Sequence, residues 1–225
     1  MAASTPERIS ATIFVIDDDD SVRTGLSRLL RAAGWQAELF ASAGAFLDRP
    51  AFVGNGCVLL DVDMPEINGP RLHEMMLERA IDLPVVFLTG KGDVPTSVLA
   101  MKRGAVDFLL KPVENEALFT AIDIALQRHA SHQAHQQEQL GISTRLARLS
   151  VREREVMDLV VLGRLNKQIA AELGIAEKTV KVHRGRVMEK MEVRSVAALV
   201  HLLKRTDARS GNGETAPGQV ASPAV

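Results

Sequence analysis

Four short apolar runs, at residues 13–16 (Ile-Phe-Val-Ile), 57–60 (Cys-Val-Leu-Leu), 85–88 (Val-Val-Phe-Leu) and 106–110, each give way directly to a residue that carries polar chemistry. Runs this short, bounded this sharply, read as strands buried on both faces. Between them lie amphipathic stretches. Val22, Leu26, Leu29, Leu30 and Ala33 follow helical spacing, as do Leu72, Met75 and Met76, and again Leu118, Ile122, Ala125 and Leu126. With residues 36–40 as a weaker strand, strand and helix alternate five times over residues 12–126. The pattern predicts an α/β unit, a five-stranded doubly wound parallel sheet with helices on both faces.

Ligand sites in such sheets lie beyond the carboxyl ends of the strands. Asp17 and Asp18 follow the first strand, Asp61 the third, Thr89 the fourth and Lys111-Pro112 the fifth. Independent strand ends thus deliver carboxylates, a hydroxyl and an ammonium to one edge. Clustered carboxylates repel one another and call for a cation, and oxygen-only ligands favour Mg²⁺ or a similar hard metal. A carboxylate can also accept a phosphoryl group, with metal, hydroxyl and lysine neutralising the incoming oxygens.

The rest of the chain has a different character. Residues 8–125 hold 11 basic and 17 acidic side chains, whereas residues 145–205 hold 14 basic and 7 acidic. An acidic half joined to a basic half suggests two tasks, the basic one on nucleic acid. No apolar run approaches the ~18 residues of a membrane span. The start, Met1-Ala-Ala-Ser-Thr-Pro-Glu-Arg8, has no apolar core of a secretory signal, and the single cysteine, Cys57, fits a reducing compartment. These features point to a soluble, cytoplasmic protein that does not engage a membrane.

Residues 127–149 read as a polar helical linker that extends the last helix of the first unit until Gly141-Ile-Ser143 breaks it. His129, His132 and His135 drift around that helix and read as a solvated face. Ser150-Val-Arg-Glu153 is a capping box opening a helix with Val156, Leu159 and Val160 on its apolar face. Gly163 can end it, Asn166 can cap a second helix over residues 167–173, and Gly174 supplies a turn into a third over residues 177–191. Ser195 caps a last helix. The spacing of Ala170, Gly174 and Val180 fits a helix-turn-helix. On the third helix Val180, Val187 and Met191 share one face, while Lys178, Lys181, Val182, Gly185 and Arg186 lie largely opposite. An exposed valine among basic residues suits thymine methyls in a major groove. A small all-α four-helix domain is expected over residues 150–205. Residues 1–11 and 206–225 read as disordered.

Asp17-Asp18, Asp61 within Leu60-Asp-Val-Asp-Met-Pro65, Thr89-Gly90 and Lys111-Pro112 resemble the receiver domain of two-component response regulators, a flavodoxin-like fold, over residues 12–126. Leu149-Ser-Val-Arg-Glu-Arg-Glu-Val156, Asn166-Lys-Gln-Ile-Ala170 and Lys178-Thr-Val-Lys-Val-His-Arg184 resemble the LuxR/NarL-type DNA-binding domain. Together they resemble the FixJ subgroup of transcriptional regulators.

The resemblance implies a phosphorylation-controlled regulator of transcription, not an enzyme. Asp61 would be the phosphoacceptor. Asp18 and Asp61 would bind Mg²⁺ directly, Asp17 through water, with the backbone carbonyl of Asp63 completing the protein ligands. Lys111 would pair with the phosphoryl group, across a cis Lys111-Pro112 bond, and Thr89 with Phe108 would form the switch pair. Lys181, Val182 and position 185 would face bases. Lys167, Lys178, Thr179, Arg184 and Arg186 would complete the DNA-binding surface, mainly on phosphates. The implied partners are a sensor histidine kinase, double-stranded promoter DNA, RNA polymerase, and a second copy of the chain. The dimer would form on phosphorylation, through the receiver face around residues 94–103, 106–110 and 114–126.

One alternative stands beside this reading. Asp61-x-Asp63 at a strand end also resembles aspartyl-phosphate phosphatases of haloacid-dehalogenase type, with an accessory helical domain. There the second Asp is an acid/base and an acidic pair comes last; here the pair comes first.

Overall fold

A computed structural model describes residues 11–90 and 101–207. The expected disorder at 1–11 and 206–225 lies outside the described residues, apart from Ala11 and the backbone of 206–207. Residues 94–100 of the expected dimer face lie outside them too. The chain divides into two compact units at Gln133/Ala134.

The first unit holds β1 (Ala11–Ile16), α1 (Asp20–Ala32), β2 (Gln36–Phe40), α2 (Ala43–Leu47), β3 (Asn55–Asp61), α3 (Gly69–Glu78), β4 (Val85–Thr89), β5 (Asp107–Leu110) and the start of α4 (Asn115–Ala147). All five strands are parallel, in the order β2-β1-β3-β4-β5. The two-residue period of a strand splits β1 cleanly. Ile13 and Val15 pack with Leu30 of α1 and Leu118 and Ile122 of α4, while Phe14 and Ile16 pack with Phe46 of α2 and Leu72 and Met76 of α3. The sheet is therefore doubly wound, as the sequence predicts.

The expectation of strands buried on both faces holds for β1, β3 and β4. In the run 106–110 it holds for Val106 and fails for 107–110, because β5 is an edge strand and its residues are half-buried or exposed. β2, on the other edge, is likewise open to solvent. Two side-chain caps set helix starts near the site. Asp19 Oδ1 accepts from the Ser21 N–H at 2.8 Å, and Asn68 Oδ1 from the Arg71 N–H at 3.0 Å.

The expected break at Gly141 does not occur. α4 runs through it to Ala147. A glycine inside a helix costs about 1 kcal/mol, and the next residue, Ile142, is 1% exposed, which outweighs that penalty. Ion pairs Glu138–Arg205 (2.7 Å) and Arg145–Glu192 (2.8 Å) hold the same stretch. The solvated face expected of His129, His132 and His135 does not form. Only His135 is fully solvated. His129 is 4% exposed and accepts the Gly56 N–H at 3.0 Å through Nδ1, and His132 pairs with Asp82.

In the second unit the remainder of α4 is followed by α5 (Val151–Val161), α6 (Asn166–Leu173), α7 (Glu177–Lys190) and α8 (Val196–Asp207). Their shared core contains Val156, Val160, Ile169, Val180, Val187 and Leu199. Gly174 ends α6 in the left-handed region at φ 66°, and the Ser150–Glu153 capping box forms as expected.

Glu153 does more than cap. Its carboxylate accepts from Lys190 Nζ at 2.6 Å and from the Ser150 N–H at 2.8 Å, tying the start of α5 to the end of α7. The Lys190 hydrogen bond and then the Ser150 backbone bond depress its pKa to about 2. A carboxylate depressed on folding stabilises the fold above its unfolded pKa, near 4.5, and loses that contribution as pH falls through about 2. Urea unfolding followed from pH 6 to pH 2 should therefore show a decline that Glu153→Gln flattens, by roughly 1–2 kcal/mol after allowance for screening of the Lys190 partner. An unchanged pH slope in the variant would contradict this role.

Candidate functional site

The carboxyl ends of β1, β3, β4 and β5 assemble the expected group. Lys111 Nζ bonds Asp17 Oδ2 at 2.5 Å and Asp61 Oδ1 at 2.6 Å. Asp17 and Asp61 are buried, at 1% and 4% exposure, and Asp18 is open to solvent beside them. Each of the three carboxylates offers an oxygen within 4.8 Å of the others. The Lys111-Pro112 peptide is cis.

The electrostatics follow from this packing. Burial, and after it repulsion from Asp17, raise the Asp61 pKa above the ordinary carboxylate value, against the pull of Lys111. Burial works to lower the Lys111 pKa, but its bonds to Asp17 and Asp61 outweigh it and hold the ammonium above its ordinary value. Lys111 is thus a firmly charged cation shared between two acids. A hard cation fits the same donor set: three carboxylate oxygens converge, and one acid, Asp18, faces solvent and has no ion pair among the described residues.

Thr89 is 2% exposed at the end of β4 and lies one position beyond Leu88, the register partner of Asp61. Its carbonyl accepts the Lys111 N–H at 2.7 Å, joining the hydroxyl and ammonium positions through one backbone bond. Phe108 sits in register with Phe87, with ring centroids 6.1 Å apart, and is partly buried on the α2/α3 side of the sheet. The Asp63 backbone N–H donates to the Asp61 carboxylate, while its own side chain is exposed.

Two residues of this site escape sequence reasoning. Arg23 Nη1 donates to the Asp17 carbonyl at 2.6 Å and its Nη2 to Asp20 at 2.9 Å, bracing the acidic turn. A basic residue one turn into a helix that opens on four aspartates is the available signal. Gly69 is the other: a Cβ there would run into the Asp61 carbonyl oxygen and lie 3.1 Å from the Val62 Cα. Nothing in the sequence short of the fold reveals that contact.

In the second unit, Lys178, Thr179, Lys181, Val182, Gly185 and Arg186 of α7, and Lys167 of α6, are all exposed, with Val182 at 48%. Val180, Val187 and Met191 form the buried side. Arg184 is half-buried, and its Nη1 donates to Asn166 Oδ1 at 2.9 Å. Asn166 therefore does not cap α6, as expected from sequence; Leu165 holds the cap position, where its N–H donates to Gln168 Oε1 at 2.9 Å. A Cβ at Gly185 would meet nothing within 4 Å. Packing does not demand that glycine, and it leaves an open notch on the basic face.

An Asp–Asp–Asp–Lys edge on a doubly wound sheet, followed by a four-helix unit with a basic α7, defines a receiver joined to a helix-turn-helix. Comparison with known proteins agrees in both halves. The family described as "Response regulator receiver domain" matches residues 13–123, and "Bacterial regulatory proteins, luxR family" matches residues 147–203. Nodulation protein W of Bradyrhizobium diazoefficiens is 40% identical over 198 residues, covering 88% of this chain and 87% of that protein. The transcriptional regulatory protein FixJ of Azorhizobium caulinodans is 42% identical over 193 residues, covering 86% and 92%. The solved structure of the response regulator StyR has a TM-score of 0.81 at 46% identity, covering 87% of this chain and 99% of that one. The chain belongs to the response regulators that join a receiver domain to a LuxR-type DNA-binding domain, and it is a regulator of transcription. Nothing favours the phosphatase alternative.

Proposed function

We propose that Asp61 is the phosphoacceptor, taking its phosphoryl group from the phosphohistidine of a sensor kinase, and that modification promotes dimerisation and promoter binding. The observation that carries this is the Asp17–Lys111–Asp61 bridge at the strand ends. An Asp61 oxygen attacks phosphorus in line as the phosphorus–nitrogen bond breaks and the imidazole leaves with the bonding pair. Asp17, Asp18 and Asp61, with the Asp63 carbonyl, would hold Mg²⁺, which when bound neutralises charge on the phosphoryl oxygens. Lys111 is placed to give up one of its two carboxylate bonds for a phosphoryl oxygen. The Thr89 hydroxyl then turns to the same group and Phe108 turns inward, which carries the change to the receiver's β5 side. The phosphoryl charge shifts this equilibrium because it binds the switched arrangement better than the resting one. A protein of this kind acts in the cytoplasm, alongside its kinase, RNA polymerase and the chromosome, and is not itself an enzyme. Incubation with acetyl phosphate and Mg²⁺ tests the site: one phosphoryl group should accumulate per chain, whereas sustained turnover of phosphate esters would restore the phosphatase reading.

In the DNA-binding unit, Lys181, Val182 and the notch at Gly185 face bases. Lys167, Lys178, Thr179, Arg184 and Arg186 meet phosphates, with Arg184 steadied by Asn166. Lys181→Ala or Val182→Ala should weaken specific binding more than nonspecific binding, by about 1–3 kcal/mol. Arg184→Ala should weaken both and flatten the salt dependence. Anisotropy titrations on operator and random duplexes check this, and equal losses on both duplexes for all three variants would contradict the groove assignment.

A further inference from the structure

The receiver unit carries a second recess at the opposite end of the sheet from Asp61. It opens at the start of β4 and before β5, about 13 Å along β4 from Thr89, and measures 330 Å³. That volume is at the small end of the range for pockets that hold organic ligands. Its floor is apolar, with Ile81, Leu83, Pro84 and Val106, and Leu77, 57% exposed, stands at its mouth. Its polar groups converge from three elements: His73 from α3, Arg103 from the turn before β5, and Arg128 and His132 from α4.

Two of these groups are unengaged. His73 is 6% exposed and lines the recess, yet its imidazole makes no hydrogen bond to a described residue; its ring meets Phe87 edge-on at 5.7 Å. Its ring nitrogens are not sealed off, so water or a ligand that enters the recess can serve as their partner. The Arg128 guanidinium, exposed at the rim, pairs with nothing among the described residues. Arg103 is matched by Glu74 and His132 by Asp82, so the anions near the recess are already taken. His129, also in the wall, is committed to the Gly56 N–H. Burial, and then the Arg103 charge, hold the His73 pKa below its ordinary value, so the ring is neutral near pH 7 and keeps one N–H to donate.

We propose that this recess binds a small organic anion: a carboxylate on a compact apolar body, with the carboxylate on Arg128 and His73 and the body on Ile81 and Leu83 of the floor. The unpaired cation selects the charge. The apolar floor selects an organic body over a bare inorganic anion. Neither group belongs to the phosphoacceptor site, so the inference stands or falls separately from the function proposed above.

Benzoate is a suitable probe, with its neutral isostere benzamide and inorganic phosphate for comparison, titrated into the full chain while the histidine side-chain NMR signals are followed. Benzoate should shift His73 saturably. Benzamide and phosphate should each bind at least about tenfold more weakly, and Arg128→Gln, a change on an exposed helix face, should weaken benzoate by about tenfold. His73→Gln should weaken it as well. Equal binding of benzoate and benzamide, equal binding of phosphate, full benzoate affinity in Arg128→Gln, or no shift at His73 would each overturn the proposal.

Discussion

Asp61→Asn should abolish Mg²⁺-dependent labelling by acetyl phosphate, with no residual stoichiometric signal. The substitution keeps the shape of the side chain but turns the carboxylate proposed to attack phosphorus into a neutral amide. It also leaves Lys111 with Asp17 as its one remaining carboxylate partner. Asp17 and Asp18 remain nearby, but Asp17 is held by Lys111, by the Asp19 N–H at 3.0 Å and, through its carbonyl, by Arg23. Mass spectrometry of the labelled chain checks the outcome, and persistent full labelling in the variant would move the acceptor elsewhere.

Gly69→Ala is the second large effect. The loop after β3 returns so closely that the Gly69 N–H donates to the Val62 carbonyl at 3.0 Å, and an added Cβ would overlap the Asp61 carbonyl. Both partners are backbone, so neither side can yield by a rotamer change. We expect a loss of about 3 kcal/mol in urea unfolding, together with slower labelling at Asp61, whose backbone must shift. Gly25→Ala in α1 is the matched control. A Cβ there meets nothing within 4 Å, so it should stabilise by up to about 1 kcal/mol. Equal effects of the two substitutions would refute the close-approach argument.

The parallel sheet and the acidic edge are legible in the chain because both rest on local pattern. Apolar runs fix β1, β3 and β4, and the residue after each run fixes what reaches the ligand edge. The capping box at Ser150 and the turn at Gly174 are local as well. What escapes is set by partners distant in sequence. Gly141 looks like a helix stop until Ile142 is seen to be buried. His129 looks solvated until Gly56, 73 residues away, is found donating to it. Asn166 looks like a cap until Arg184 takes its side chain. Edge position, which opens β5 to solvent, depends on strand order and not on strand composition.

In the proposed mechanism, charge at Asp61 controls what the DNA-binding unit does. One helix-turn-helix of this size offers little interface, and the proposed dimer would set two on symmetric half-sites. Sedimentation velocity of the full chain with a labelled promoter fragment, with and without Mg²⁺ and beryllofluoride, reads oligomeric state and DNA uptake together. The unmodified chain should be a monomer that binds weakly. With beryllofluoride it should be a dimer that binds at least about tenfold more tightly, in line with the usual strength of coupling between sites, and Asp61→Asn should remove the gain. A chain that stays monomeric and takes up DNA equally well in both conditions would contradict it.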